Sequence, residues 1–226
     1  MIRTVVDQIY EDLKRRILGG TLGLGARLYE DEVAAGLTVS RSAVREAMRL
    51  LEQEGLLVRE PHRGLYVASP SNGDALDTAQ LRAVLEAYAV RWADPPSPDV
   101  LEELERKCQQ FDLCEQNEDR LGAVNVDREF HSLIAARCHN SLLLKKFHEL
   151  DGHIAIFFHW VSLNVPGRSA GIGRRHRALA AALASADPDL FEHAVLEHYL
   201  DAAKDLARHL PDSTQEAREL AGDVHY

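Results

Sequence analysis

TVSRSAVREAMRLLEQEGLL, residues 38–57, is the stretch that decides the fold of the N-terminal part of the chain. Ser40 can cap a helix that begins at Arg41, and the four-residue spacing of Arg41, Arg45 and Arg49 places their guanidinium groups on one face. A separate apolar stripe on this helix is formed by Val44, Ala47, Met48 and Leu51. The combination is typical of a DNA recognition helix, because arginines meet phosphates and bases while the stripe holds the helix to its domain.

The flanking sequence predicts a winged helix-turn-helix over residues 1–69. Apolar residues at helical spacing predict one helix over residues 5–18 and a short second helix over residues 30–35. After the recognition helix, LLVRE and LYVAS flank the turn sequence PHRG and predict two strands of a hairpin. Helix, helix, turn, helix and hairpin follow one another in the order of a winged helix-turn-helix domain.

Beyond this domain the sequence predicts only helices, so that the fold class is mainly α. We predict a linker over residues 70–73, an antiparallel helical bundle over residues 74–210 and a polar tail over residues 211–226. The bundle helices are predicted over residues 75–93, 99–117, 119–138, 141–163, 170–185 and 188–210. A proline cluster separates the first two of them.

Charge is distributed unevenly over the 226 residues, whose net charge is −10. Residues 1–69 contain ten basic and ten acidic side chains, and the whole net charge therefore belongs to the remainder. An acidic body disfavours non-specific contact with DNA, so binding depends on a placed arginine surface.

The sequence also predicts a cytoplasmic protein. No apolar run approaches the roughly 20 residues of a membrane span, and the N-terminus lacks the apolar core of a signal peptide. The three cysteines form no CxxC pair, and their odd number predicts reduced thiols.

Histidines concentrate in the helical part, where ten of the eleven lie after residue 70. Asp127 and His131 are four residues apart and share a helix face, while His176 and His198 lie on two later predicted helices. One carboxylate and three imidazoles from three helices can bind Zn, Ni or another divalent metal inside a bundle. The residues alone leave open the alternative that each histidine has a packing or surface role.

The N-terminal motifs resemble the GntR family of bacterial transcription regulators. The matching stretches GARLYEDEVAAGL, TVSRSAVREAMRLLEQEGLL and PHRGLYVA cover most of residues 5–68. The resemblance implies that the recognition helix enters the major groove and that the hairpin approaches the neighbouring minor groove. The DNA-contacting residues that it implies are Ser40, Arg41, Ser42, Arg45, Arg49, His62, Arg63 and Gly64.

Two positions depart from the family pattern. Thr38 stands where a glycine is usual in the turn before the recognition helix. The acidic run Glu30–Glu32 stands where many relatives carry a basic residue that contacts phosphate, so one such contact is expected to be absent.

The C-terminal half is similar to the FCD-type effector domain of the FadR-like branch of that family. Asp127, His131, His176 and His198 match its Asp/His pattern in order and approximate spacing, which implies a metal site and a small carboxylate effector. The position of Arg82 matches an arginine common in the family and suited to a carboxylate. The alternative for Arg82 is a salt bridge to Glu86, one turn along the helix.

His153 is a further candidate for effector binding, because the predicted helix over residues 141–163 is expected to line the effector cavity. The stretch around it holds several other histidines, for which packing or surface roles are the simpler interpretation.

These features predict a transcription regulator, a repressor, that binds a pseudopalindromic operator as a homodimer and releases it when effector binds. One alternative is a metal-dependent hydrolase or lyase that uses the same Asp/His site. We expect no enzyme, because no general base is evident and a DNA-binding domain is attached. Another alternative is a regulator whose signal is the metal itself.

Overall fold

The computed structural model describes residues 4–69, 71–164 and 171–207. Its N-terminal part contains helix α1 (Val5–Leu18), strand β1 (Arg27–Leu28), helices α2 (Glu30–Leu37) and α3 (Arg41–Gln53), and strands β2 (Leu57–Glu60) and β3 (Gly64–Val67). The strands form one antiparallel sheet in the order β1-β3-β2. This arrangement confirms the predicted winged helix-turn-helix.

Helix α3 forms as its sequence predicts. The Ser40 hydroxyl accepts a hydrogen bond from the Ala43 amide and caps the helix. The apolar stripe is buried completely in a core shared with α1 and the sheet, and its members are Val44, Ala47, Met48 and Leu51. Burial of one face fixes the helix on its domain and leaves the arginine face exposed.

The turn between α2 and α3 forms despite the missing glycine. Thr38 ends α2 in the left-handed conformation, with φ 56° and ψ 46°. Its amide donates to the Ala35 carbonyl, and the Val39 amide donates to the Ala34 carbonyl. Glycine adopts this conformation without the steric penalty that a Cβ introduces. The threonine that departs from the family pattern therefore introduces local strain.

The C-terminal part contains helices and no strand within the described residues. Its elements are α4 (Asn72–Arg91), α5 (Pro98–Gln116), α6 (Arg120–Ala135), a 3-10 turn (Ala136–Cys138), α7 (Ser141–His148), α8 (Asp151–Asn164), α9 (Ile172–Ala184) and α10 (Pro188–Ala207). Helix α4 packs along α10, and α5 packs between α6 and α9. The predicted tail over residues 211–226 and the end of the last predicted helix, residues 208–210, lie outside the described residues.

Helix α4 begins inside the stretch predicted as a linker. Ser71 caps it, since the Ser71 hydroxyl accepts from the Asp74 amide while the Asp74 carboxylate accepts from the Ser71 amide. Only residues 68–71 therefore separate strand β3 from α4.

The single helix predicted over residues 141–163 is wrong, because the chain forms α7 and α8 with a break between them. Gly152 lies so close to the winged domain that a Cβ there would overlap with the carbonyl oxygen of Glu54. Asp151 accepts hydrogen bonds from Arg82 and His148. These tertiary contacts lie at the break between α7 and α8, and the periodicity of the sequence gives no indication of them.

Helix α8 joins the two domains through a common core. Ala155 and Ile156 pack within the apolar core of the winged domain, against which Leu121 and Val124 of α6 also lie. The remaining bundle helices form a second core that contains Cys108. All three cysteines are free thiols.

No helix among the described residues is long and apolar enough to cross a membrane.

Replacing Thr38 by Gly is expected to stabilise the protein by about 0.5–1 kcal/mol, because the left-handed backbone is strained only when a Cβ is present. Urea unfolding of the full chain measures the change. The control is Thr21→Gly, at a loop threonine that is not among the residues with positive φ, and it should destabilise. Equal destabilisation by both substitutions would contradict the strain at Thr38.

Candidate functional site

The arginine face of α3 is exposed and continuous. The side chains of Arg41, Arg45 and Arg49 are 69%, 67% and 48% exposed. Ser40 and Ser42 lie at the start of the helix with their hydroxyl oxygens 3.1 Å apart. The structure therefore presents Ser40, Arg41, Ser42 and Arg45 at the N-terminal end of α3, with Arg49 further along the same face.

Each arginine of this face is paired with an acidic side chain. Arg41 Nε lies 2.8 Å from Asp31 Oδ1, and Arg45 donates from Nε and Nη2 to Glu30 Oε2 at 3.0 and 2.8 Å. Arg49 pairs within its own helix with Glu46 at 2.6 Å. The acidic run of α2, which replaces the expected basic residue, thus holds the two leading arginines of the recognition helix.

The hairpin presents the remaining candidates at its tip. His62 and Arg63 are exposed in the turn between β2 and β3, and His62 has a positive φ of 63°. Gly64 has a φ of 121°, and a Cβ there would lie 3.0 Å from Arg27 Nε. Gly64 therefore permits a tight turn packed against Arg27, and its predicted closeness to DNA is consistent with a position at the tip.

The helical domain brings three of the predicted metal ligands into one group and places the fourth, Asp127, beside two of them. His131 from α6, His176 from α9 and His198 from α10 offer ring nitrogens that all lie within 4.8 Å of one another. Asp127 Oδ1 lies 3.2 Å from His176 Nε2 and 3.6 Å from His131 Nε2. Asp127, His131 and His176 are buried, while His198 is partly exposed.

The hydrogen bonds around this cluster fix which nitrogens face its centre. Glu86 accepts from His131 Nδ1, which lies 3.0 Å from both carboxylate oxygens, and the Ile172 carbonyl accepts from His176 Nδ1 at 3.0 Å. In a neutral imidazole the other nitrogen, Nε2, then carries a lone pair. Both Nε2 atoms consequently point acceptors toward the Asp127 carboxylate.

Buried acceptors that face one another without a donor are unfavourable unless a cation lies between them. His131 Nε2 and Asp127 Oδ2 are buried and have no hydrogen-bond partner among the described residues. The donor set of one carboxylate and three imidazoles, held by outer hydrogen bonds, therefore fits a divalent metal.

The ionisation of the cluster is also suited to a cation. Burial lowers the pKa of His176, against the opposing effect of Asp127, and burial together with the neighbouring imidazoles lowers the pKa of His198. Burial opposes ionisation of Asp127, but His131, His176 and Arg82 outweigh it and hold the pKa of Asp127 below its usual range. These shifts favour the neutral imidazoles of His176 and His198 and the carboxylate form of Asp127.

Arg82 lies beside this cluster and is fully buried. Its Nη1 donates to Asp151 Oδ1 at 2.8 Å, and its Nε donates to the Tyr199 hydroxyl at 2.9 Å. The alternative of a salt bridge to Glu86 is wrong, because Glu86 instead accepts from His131 and Tyr199. The remaining nitrogen, Nη2, has no hydrogen-bond partner among the described residues.

His153 lies at the contact between the domains. A Cβ on Gly55, the residue after the cap of α3, would lie 2.7 Å from His153 Cδ2. The expectation that His153 lines the effector cavity rested on the unbroken helix over residues 141–163. The break that forms α8 instead carries His153 to the winged domain.

Sequence reasoning assigned no role at this site to three residues. Asp151 partners Arg82, Tyr199 donates to Glu86, and Glu86 orients His131. Two of them carried a usable signal, since Glu86 follows Arg82 by one helical turn and Tyr199 adjoins His198. Metal-bound histidines usually donate their second nitrogen to a carboxylate or carbonyl, which gives a reason to search for such neighbours.

Known protein families match both halves of the chain. The family described as "Bacterial regulatory proteins, gntR family" matches residues 5–67. The FCD domain family matches residues 77–201.

Curated relatives match along most of their length. The chain is 30% identical over 195 residues to the "Probable D-xylose utilization operon transcriptional repressor" of Paenarthrobacter nicotinovorans, covering 86% of this chain and 85% of that protein. It is 27% identical over 195 residues to the HTH-type transcriptional repressor RspR of Escherichia coli strain K12, with coverage of 86% and 85%.

Solved structures share the fold. A GntR transcriptional regulator from Rhodococcus sp. RHA1 aligns with a TM-score of 0.72 and 25% identity, over 89% of this chain and 96% of that chain. Escherichia coli McbR/YncC aligns with a TM-score of 0.72 and 24% identity, over 92% and 99%.

Neutralising Asp31 or Glu30, as Asp31→Asn or Glu30→Gln, is expected to raise the affinity for random-sequence duplex DNA about two- to tenfold. The physical reason is that Arg41 or Arg45 no longer has to leave an acidic partner. Fluorescence anisotropy at fixed ionic strength measures the affinity.

The matched control is Glu32→Gln, which removes the same charge from a residue that forms no ion pair with α3 among the described residues; its effect should be smaller. In an Arg41→Ala background the effect of Asp31→Asn should shrink. An equal gain from all three neutralisations would show a general charge effect and contradict the specific pairing.

Proposed function

The chain belongs to the GntR family of bacterial transcriptional regulators, with an FCD domain, and on that premise we propose that it is a repressor controlled by a small carboxylate bound at a metal site. Family membership makes it a DNA-binding transcription regulator and not an enzyme. Repression is proposed because two relatives are named as repressors. The observation that carries ligand control is the cluster of buried, mutually facing acceptors at Asp127, His131 and His176.

Asp127, His131, His176 and His198 would hold the metal, with Zn or Ni as the preferred ions for this donor set. A bound divalent ion would supply positive charge, and one that accepts more than four ligands could also bind a carboxylate oxygen. Glu86 and the Ile172 carbonyl keep two of the imidazoles oriented by accepting from their Nδ1 atoms.

Arg82 supports a carboxylate as the effector class. Its Nη2 is buried and lacks an acceptor among the described residues, so a carboxylate oxygen there would remove an unsatisfied charged donor. Burial opposes the charged form of Arg82, but Tyr199, Asp127 and Asp151 outweigh it and raise the pKa of Arg82. One anionic group placed between the metal ligands and Arg82 would satisfy both.

A continuous series of contacts leads from Arg82 to the recognition helix. Arg82 binds Asp151, the first residue of α8, and the next residue, Gly152, packs on the Glu54 carbonyl at the end of α3. The Glu54 carboxylate accepts in turn from Tyr10 at 2.5 Å and Lys14 at 2.8 Å in α1. The domains are therefore in contact where α3 ends.

Effector binding would act through this series of contacts. A carboxylate that draws on the donors of Arg82 competes with Asp151, and α8, together with the winged domain in whose core it packs, is free to shift relative to α4 when that bond weakens. The effector changes DNA affinity only if it binds the shifted arrangement more tightly than the unshifted one. We therefore propose that effector lowers operator affinity.

Operator recognition requires two copies in this proposal. The winged domain has no net charge and its leading arginines are already paired, so one copy binds weakly. A homodimer with two-fold symmetry would place two recognition helices on a pseudopalindromic operator.

Replacing His198 by Ala is expected to lower the affinity for Zn²⁺ more than about 100-fold, beyond the ~10–100-fold effect of losing an outer partner such as Glu86. The control is His193→Ala on the same helix, whose side chain is 72% exposed. Calorimetric titration with Zn²⁺ and with Ni²⁺ measures both variants. Equal affinities for His198→Ala and wild type would exclude the proposed ligand set.

Removing the metal with a chelator distinguishes a metal that serves effector binding from a metal that is itself the signal. We expect metal-free protein to bind an operator selected from random DNA as tightly as loaded protein, and to lose its response to a panel of small mono- and dicarboxylates. Operator affinity that follows the metal concentration in the absence of carboxylates would instead support the metal-sensing alternative.

Asp151→Asn is expected to abolish the effect of a responsive carboxylate on operator affinity while Zn²⁺ binding persists, because Arg82 loses its charged link to α8. The substitution should also lower the free energy of unfolding by about 3 kcal/mol, because the buried charge of Arg82 loses its partner. The loss should appear as a lower melting temperature. The control Asp189→Asn removes a carboxylate that pairs with Arg91 on the surface. A full carboxylate response in Asp151→Asn would refute the link.

A further inference from the structure

One face of the C-terminal part of α4 is apolar and exposed, and it continues to Trp92, the residue that caps the helix. The exposed fractions of Leu81, Val84, Tyr88 and Trp92 are 49%, 58%, 48% and 69%. Their spacing of three and four residues aligns them on one side of the helix. We call these four residues the α4 stripe.

The α4 stripe is not needed to hold α4 in its own domain. The opposite face of the helix is buried in the bundle core through Ala79, Ala83 and Ala87. One end of the stripe carries an aromatic pair, Tyr88 and Trp92, whose ring centroids lie 6.1 Å apart. A contiguous exposed patch of aromatic and aliphatic side chains is typical of a protein contact.

Charge selects a second copy of this chain as the occupant. Between Asp77 and Arg91 the only charged residues of α4 are Arg82 and Glu86, and both are buried. The domain around the stripe is strongly acidic, so a symmetric contact elsewhere on it would bring like charges together. The α4 stripe is a face on which two acidic copies can meet without repulsion.

Shape selects the direction of the contact. One end of the stripe carries the large rings of Tyr88 and Trp92, and the other end carries Leu81 and Val84. An antiparallel pair of helices related by a two-fold axis near Val84 would set Tyr88 of each copy beside Leu81 of the other and Trp92 beside Leu76. A parallel pair would place rings against rings and leave the aliphatic ends poorly filled.

We propose that the α4 stripe is the homodimer contact, formed by antiparallel packing of α4 against α4 of a second copy. The inference rests on the homodimer of the proposed function and names its surface. Because only residues 68–71 separate β3 from α4, the helix pair also fixes the positions of the two winged domains. A four-residue connection spans at most about 14 Å, so each domain stays near its own α4.

The test is Val84→Glu in the full chain, with mass measured by sedimentation equilibrium. We expect the substitution to raise the dimer dissociation constant about 100-fold or more, because a symmetric contact would bury two like charges. The control is Leu113→Glu on α5, whose side chain is similarly exposed at 55%, and which should leave the dimer intact. Circular dichroism and thermal melting verify that both variants fold.

A second variant tests the geometry directly. Val84→Cys should form a disulfide between copies under mild oxidation, because the two-fold axis places the two thiols near each other, whereas Leu113→Cys should not.

The outcomes separate the surface from the dimer itself. A wild-type dimer that withstands Val84→Glu and yields no cross-link through Val84→Cys overturns the α4 stripe as the contact but keeps the proposed homodimer. A wild-type monomer that binds the selected operator as a single copy overturns both.

Discussion

The buried charge of Arg82 is the constraint on which the arrangement of the two domains depends. A guanidinium without water must have a carboxylate partner, and the carboxylate here is Asp151. Asp151 is the first residue of α8, the new helix that follows the break after α7. That new helix, α8, then contributes Ala155 and Ile156 to the core of the winged domain. One ion pair thus links the interior of the helical domain to the domain that reads DNA.

The same interior contains two kinds of incomplete polar group. On one side of Arg82 are acceptors without donors, His131 Nε2 and Asp127 Oδ2; on Arg82 itself is a donor without an acceptor. A bound cation would satisfy the acceptors, and a bound anion would satisfy the donor of Arg82. Each ion would also lower the free-energy cost of burying the other. This complementarity is the physical argument for joining a metal and a carboxylate in one proposal, since either alone leaves an unsatisfied group behind.

Local patterns predicted the elements that depend on local chemistry. The Ser40 cap, the apolar stripe of α3 and the glycine-bounded hairpin each follow from a few adjacent residues, and the structure forms them as expected. Strand β1 was not predicted, because its two residues gain their strand character only by pairing with β3. The identity of the clustered histidines was accessible from helix spacing together with the family resemblance. The partner of Arg82 was not, because Asp151 is distant in sequence and lies at a break that tertiary contacts produce.

The acidic run of α2 has a consequence for how the protein moves along a chromosome. When phosphates replace Glu30 and Asp31 at the arginines of α3, the two freed carboxylates attract cations from solution. This uptake offsets part of the counterion release that normally drives proteins onto DNA of any sequence. The free energy of association should therefore depend on ionic strength less steeply than the number of phosphate contacts implies. Such a protein would spend little time sliding on unrelated sequence and would find its site mainly by repeated dissociation and rebinding.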